Sequence, residues 1–265
     1  MTTDTGLDTD EALDTILRRA SVIECLIDGP KYNRDIRDEL DISRSTAYKA
    51  VSELEEQDIA RRCDEGYELT VLGQLLFDQY RQFHGRVEDI CRPGRLLAVL
   101  PRGTEIPFVF LDGAAVSISK KHAPNQPVHE IERVIDEAST VKGTGPVVLP
   151  SYVELFSDQI VSGELEAELV FERPVFDHLR TNYEEDFSAA FESDNLSVWV
   201  TDAELPFALL VIESPSQKAA IIIYDSSGDI KGAILNDTEQ AYTWGGKQWE
   251  RYRNSGVTPP TETDE

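Results

Sequence analysis

The strongest constraint on the fold is the punctuation of the first sixty or so residues. From Glu11 to Asp28, the residues Leu13, Ile16, Leu17, Ala20, Ile23, Leu26 and Ile27 recur at i, i+3, i+4 spacing, the mark of one buried helix face, and Gly29-Pro30 ends the run. The spacing predicts a second, short helix over 34–40, capped by Asn33, with Ile36 and Leu40 turned inward. Asp41-Ile42 then forms a tight turn, and Ser43 caps a third helix running to about Asp58. On that helix Ala47, Ala50, Val51 and Leu54 make one apolar stripe and leave Arg44, Ser45, Tyr48, Lys49 and Ser52 on the other face.

Two short strands follow, 59–62 and 67–69, joined by Cys63-Asp64-Glu65-Gly66 with glycine supplying the turn. Thr70 caps a fourth helix that carries Leu72, Leu75, Leu76, Tyr80, Phe83 and Val87 toward a break at Cys91-Arg92-Pro93-Gly94. Helix, helix, turn, helix, hairpin, helix is the order of a winged helix-turn-helix. The expected organisation is an α+β winged helix-turn-helix over 10–70, a linking helix over 71–92, and an α/β domain with a mixed sheet over 93–253. The acidic termini, 1–9 and 254–265, are expected to be frayed. The linking helix has a stripe of Leu72, Leu75, Leu76, Gln79, Phe83 and Val87, which fits either a homodimer contact or docking within the chain.

In the second part, short apolar runs read as strands over 96–100, 108–111, 115–119, 147–149, 168–171, 196–201, 207–213 and 219–224, with helical patterns over 127–138, 152–162, 174–181 and 183–192. Ile221-Ile222-Ile223 is apolar on both faces, as a central strand is. Trp244 and Trp249 fall on an amphipathic final helix and read as docking residues.

Charge divides the chain unevenly. Fifty Asp and Glu against 25 Lys and Arg give a formal charge of −25, a field that opposes any polyanion. Residues 93–265 hold 13 basic and 29 acidic side chains, whereas residues 30–62 hold seven and eight. Residues 43–52, SRSTAYKAVS, contain no carboxylate at all. Arginine outnumbers lysine 17 to 8, and low lysine beside doubled carboxylate resembles proteins of salt-accumulating halophilic archaea. Molar salt shortens the screening length to about 3 Å, so in such a cytoplasm only the local surface of 43–52 would be felt by a nucleic acid.

The stretch from Arg34 to Arg62, including Ser43-Arg-Ser-Thr, with Gly66-Tyr-Glu-Leu-Thr and Leu72-Gly73, resembles archaeal and bacterial winged-helix regulators. That resemblance implies a recognition helix opening at Ser43 and a wing flanked by paired basic residues. Physically, a helix entering the major groove needs an exposed N-terminal half with donors and no carboxylates. Ser43 and Ser45 are therefore candidate phosphate donors, Arg44, Thr46, Tyr48 and Lys49 candidate base or backbone contacts, and Arg61 and Arg62 wing contacts to double-stranded DNA. Tyr48 fits either a reader or a packed aromatic. The alternative for the whole segment is a tri-helical protein-interaction module that binds no DNA.

Phe110-Leu-Asp-Gly-Ala, Pro150-Ser-Tyr, Leu205-Pro-Phe-Ala-Leu, Tyr224-Asp-Ser-Ser-Gly and the run from Ala241 to Tyr252 resemble the sensing domain of the archaeal methanogenesis-regulator family, itself similar to the phospholipase-D-like domains of TrmB-type regulators. The resemblance implies a one-component transcription regulator with a possible small-molecule effector. No histidine among His84, His122, His129 and His178 has the lysine two positions on that phospholipase-D chemistry requires, and Gly143-Thr-Gly145 lacks the third glycine of a dinucleotide turn, so no enzyme activity is expected. Lys120-Lys121-His122 and His129-Glu130 could flank a pocket; Trp199, Asp202, Phe207, Asp225, Trp244 and Trp249 could line a cleft or serve as core. Three separated cysteines support neither a disulfide framework nor a thiolate metal site, and no cofactor is expected. No run is long and apolar enough for a membrane span, and the expected location is the cytoplasm.

Overall fold

A computed structural model describes residues 7–259; most of the acidic tails expected to fray, residues 1–6 and 260–265, lie outside the described residues. The chain divides into two compact units, 1–87 and 88–265, and each is described separately.

The first unit begins with α1, Thr9–Cys25, whose N-terminus is capped by Asp8 accepting from the amide of Glu11 at 3.0 Å. Order therefore reaches into the segment expected to fray, because a carboxylate cap and two acidic residues favour a helix start. Helix α2, Asn33–Leu40, is capped one residue earlier than expected: Tyr32 is the N-cap and its amide donates to the Asp35 carboxylate. Asp41 ends α2 in the left-handed region at φ 50°, and α3, Arg44–Glu56, follows with Ser43 as its cap. Strands β1, Ala60–Cys63, and β2, Gly66–Leu69, pair antiparallel, with Arg61 opposite Glu68 and Arg62 opposite Tyr67. Lys31 exchanges both backbone hydrogen bonds with Tyr67, adding a one-residue third rung to this hairpin.

One core joins these pieces: Ile16, Ile23, Ile36, Val51, Leu54 and Ile59 are buried together with Phe77 of α4, Val71–Cys91. Two glycines permit the close approaches. A Cβ on Gly66, at φ 119°, would stand 2.3 Å from the carbonyl oxygen of Lys31, and one on Gly73 would stand 2.0 Å from that of Ile59. Thr70 fastens the same junction, accepting from the amide of Gly73 and donating to the carbonyl of Asp58. Of the stripe read on α4, Leu76 turns into this core beside Tyr80, while Leu72, Leu75, Phe83 and Val87 are exposed.

The second unit is a seven-stranded mixed sheet of order β3-β9-β8-β7-β4-β5-β6. Its strands are β3 Ala115–Ile118, β4 Thr140–Gly145, β5 Glu166–Glu172, β6 Leu196–Thr201, β7 Ala208–Ser214, β8 Lys218–Tyr224 and β9 Ile230–Asn236. Strands β4, β5 and β6 run parallel and the other pairings are antiparallel. Ile221-Ile222-Ile223 lies in interior strand β8 and is buried, as its two-faced apolarity requires. Outside the sheet, Val200 of β6 and Val257 exchange backbone hydrogen bonds of 2.8 Å, so residues 254–257 are ordered.

Two runs read as strands are helical. Residues 94–97 form α5, Gly94–Leu97, and 108–111 form α6, Phe108–Leu111. In both a proline stands at the N-cap, Pro93 and Pro107, its fixed φ favouring a turn, and the buried Leu96, Phe110 and Leu111 need contact on one side only. The expected strand over 147–149 is replaced by β4 seven residues earlier, and β9 went unread.

The helices over this sheet are α7 Gln126–Asp136, α8 Pro150–Ser162, α9 Arg173–Asn182, α10 Glu184–Phe191 and α11 Glu239–Ser255. On one face α11 and α6 cover Leu209, Val211, Ile221 and Ile234. Gly245 brings α11 within van der Waals range of Ala219 and Val211, and Trp249 donates from Nε1 to the carbonyl of Gly143 at 3.1 Å, so its reading as a docking residue holds. The opposite face receives α7 and α8 over Ala208, Leu210, Ile212 and Ile222.

Gly73→Ala is expected to destabilise the first unit by about 1–3 kcal/mol through the clash with Ile59, seen as faster amide exchange in α3 and α4 with the second unit unaffected. Burial pushes the Cys25 thiol up to about 11, the Glu39 carboxylate reinforcing the shift. At pH 8 iodoacetamide should therefore modify exposed Cys91 on the order of a hundredfold faster than buried Cys25.

Candidate nucleic-acid interface

The outward face of α3 follows from its inward one. Ala47, Ala50, Val51 and Leu54 are all buried to 1% exposure or less, which rotates Arg44, Ser45, Tyr48 and Lys49 to solvent. Tyr48 is 65% exposed, so the choice between packed aromatic and surface residue falls to the surface. Arg44 is exposed and makes no ion pair with the described residues.

At the helix entrance three hydroxyls converge. Ser43 Oγ accepts from the Thr46 amide at 3.1 Å and lies 2.9 Å from Ser45 Oγ and 2.7 Å from Thr46 Oγ1. Ser43 is thus engaged as the cap, while Ser45 and Thr46 are exposed beside the positive end of the helix. The carboxylates of α3 stay at its other end. Glu53 is taken up by Arg19 at 2.9 Å, Arg18 at 3.5 Å and Lys49 at 3.9 Å; the Arg19 hydrogen bond is the largest cause holding its carboxyl below the usual range. Its charge is thereby balanced on the α1 side of the helix.

The hairpin supplies the other basic residues. Arg61 is bound across the strands to Glu68 at 2.8 Å, and Arg62 is exposed beside it on the opposite face of the ribbon. Tyr32 donates from its hydroxyl to the carbonyl of Asp64 in the hairpin turn, and Arg34 lies 5.3 Å over the Tyr32 ring. Lys31 pairs with Glu39. Sequence reasoning missed this Lys31, Tyr32 and Arg34 group; its signal was the basic and aromatic composition just after Gly29-Pro30.

The residues proposed for a cleft in the second unit do not share one. Phe207 is fully buried, Trp244 packs 4.6 Å from the ring of Phe110, Asp202 pairs with Arg173, and Asp225 pairs with Lys231 while closing its own turn. Trp199 stands edge-on to Trp249, with Arg253 over both. His129 binds Glu132 rather than Glu130. Among the described residues no group of three His, Cys, Asp or Glu is placed to hold a metal ion, and no helix is long and apolar enough to cross a membrane.

Comparison with known proteins agrees with this division. Residues 7–92 match the family described as the HVO_A0261 N-terminal domain, and residues 124–255 match that described as the methanogenesis regulatory protein FilR1, middle domain. The second match falls on the segment whose motifs resemble the methanogenesis-regulator family. No curated relative matches the chain. Among solved structures, the archaeal chromatin protein TrmBL2, whose structure shows a novel mode of DNA binding, is similar over 95% of this chain and 100% of its own, at 10% identity and TM-score 0.42. The phospholipase D family member Nuc from Salmonella typhimurium covers 56% of this chain and 98% of its own at 9% identity and TM-score 0.41. NucT from Helicobacter pylori covers 55% and 98% at 8% identity and TM-score 0.44. At these scores the structural likenesses carry no argument about function.

Because the carboxyl of Glu53 is held low, its pairing contributes stability above the unfolded value of about 4.3, and loses it as pH falls through the folded value. Glu53→Gln should therefore cost the first unit about 1 kcal/mol at pH 7, and in urea titrations the difference from the wild type should narrow progressively as the pH is lowered below about 4.3.

Proposed function

We propose that the chain is a sequence-specific DNA-binding transcription regulator whose first unit acts as a winged helix. The observation that carries this is the N-terminal half of α3: exposed, free of carboxylates, and bearing Arg44, Ser45, Thr46, Tyr48 and Lys49 in a strongly acidic chain. Arg44 and Lys49 are the candidate base and phosphate contacts, Tyr48 an apolar or backbone contact, Ser43 the cap that aims the helix, and Arg61 and Arg62 the contacts of the hairpin as wing. The match of residues 124–255 to a domain of a regulatory protein supports the same reading.

In this reading the second unit takes a small-molecule effector or mediates assembly, and exposed Leu72, Leu75, Phe83 and Val87 of α4 form a homodimer contact that matches a two-fold operator. The protein is non-enzymatic; the four histidines, none followed two residues later by lysine, support this. The acidic surface and low lysine content fit a cytoplasm rich in salt. The competing reading is a protein-interaction module, favoured by the near balance of charge over residues 30–62 and by the exposed Tyr32 and Tyr48.

Footprinting in multimolar KCl should reveal a protected site near the gene's own promoter. Arg44→Ala with Lys49→Ala should weaken binding to it by about 1–3 kcal/mol per lost base contact and flatten the salt dependence, since each lost phosphate contact removes roughly one unit of slope. Absence of any protected site, with capture of a protein partner by the first unit that Arg44→Ala disrupts, would establish the competing reading.

A further inference from the structure

The face of the sheet beneath α7, α8 and α10 should present a continuous apolar layer, and β4 interrupts it. Alternation places Val141, Gly143 and Gly145 on that face, so two of its three positions carry no side chain. Leu169, Leu210 and Phe171 lean toward the glycines, at 3.0, 3.3 and 2.7 Å from where their Cβ atoms would stand, but they do not close the space. A cavity of about 100 Å³ remains between these strands and α8, bordered by Gly143, Ala208, Leu210, Phe156, Ile160 and Ala190.

Among the described residues, no charged side chain lines this cavity. Its wall includes Tyr152 of α8, whose hydroxyl oxygen is buried and finds no hydrogen-bond partner among the described residues. Burial, followed by the neighbouring Tyr224 and Glu132, holds the Tyr152 phenol well above its usual range, so it stays protonated and offers a hydrogen. Leaving such a group unpaired is unfavourable, and an acceptor brought by a ligand would relieve it. A charged or polyhydroxylated ligand would instead strand its own polar groups against hydrocarbon.

We propose that this cavity binds a small, mainly hydrocarbon ligand about the size of one substituted aromatic ring, carrying a single carbonyl that accepts from Tyr152. The scale is set by the observation that an apolar cavity of roughly 150 Å³ takes up benzene. A mainly apolar lining with a few hydroxyl-bearing residues, here Tyr152 with Tyr224, Ser157 and Thr144, is the ordinary make-up of a small-molecule site, and of these Tyr152 carries the unpaired hydroxyl. The inference rests on the reading of the second unit as effector-binding, and gives that effector its chemical class.

Acetophenone and ethylbenzene, alike in ring and chain but for the carbonyl, are suitable probes of the full-length protein by calorimetry and thermal unfolding. Both should bind the wild type and raise its unfolding midpoint, acetophenone about tenfold more tightly. Tyr152→Phe should reduce acetophenone to the affinity of ethylbenzene while leaving ethylbenzene unchanged. Ala208→Leu should expel both, and Ala190→Val serves the same purpose from α10 should the first variant fold poorly by circular dichroism. Failure of both probes to bind the wild type, or an acetophenone preference that survives Tyr152→Phe, would overturn the proposal. DNA retardation on the same samples separates the two readings: retardation without probe binding removes the ligand site alone, and probe binding without retardation removes the DNA reading alone.

Discussion

Burial of one side of α3 is the interaction on which the candidate interface depends. Four small or branched side chains, Ala47, Ala50, Val51 and Leu54, seat the helix in the core of the first unit, and helical geometry then fixes everything opposite them. Arg44, Tyr48 and Lys49 face outward because Ala47, Ala50, Val51 and Leu54, which recur at three- and four-residue spacing, occupy the opposite, inward face. Two alanines on the buried side also bring the helix axis close to the core, so the surface residues are presented from a rigid support rather than from a loop.

Electrostatics completes the arrangement locally. Arg18, Arg19 and Lys49 gather around Glu53, the α3 carboxylate nearest the exposed basic residues. A chain of formal charge −25 thereby retains one helix end where the field is set by the helix itself and by two cations. Within the second unit Lys142 does comparable service, lying between Glu213 at 2.8 Å and Glu168 at 3.7 Å and 5.5 Å from the Trp249 ring centroid, which makes a charged residue tolerable on an interior strand.

Much of the first unit was legible because its signals are local: the α3 stripe, the Ser43 and Thr70 caps and the Gly66 turn each depend on a few neighbouring residues. The cap of α2 was displaced by one residue because the Asp35 carboxylate reaches the Tyr32 amide, a choice between two adjacent candidates. In the second unit, the α/β class was visible in the alternation of apolar runs with helical patterns, and interior strand β8 in Ile221-Ile222-Ile223. Strand β4, Thr-Val-Lys-Gly-Thr-Gly, was not, since glycine and lysine are poor strand formers, and its place comes from tertiary partners. Thr144 shows how: its hydroxyl accepts from the Leu209 amide and donates to the Phe207 carbonyl, tying β4 to β7 through a side chain. Gly143 and Gly145, weighed in the sequence only as part of a dinucleotide turn, open the cavity, and absent side chains leave no pattern to read.

The backbone exchange between Val200 and Val257 has a consequence for how copies of this protein behave toward one another. Strand β6 is the last of its row, and a terminal strand offers unsatisfied amides and carbonyls to any passing extended chain. Here the segment after α11 folds back across that margin, and Gly256 lets it lie 3.2 Å from Val200 at its would-be Cβ. The protein thus hems its own fabric, and neighbouring molecules in a crowded cell meet less of a seam along which to stitch themselves into fibres.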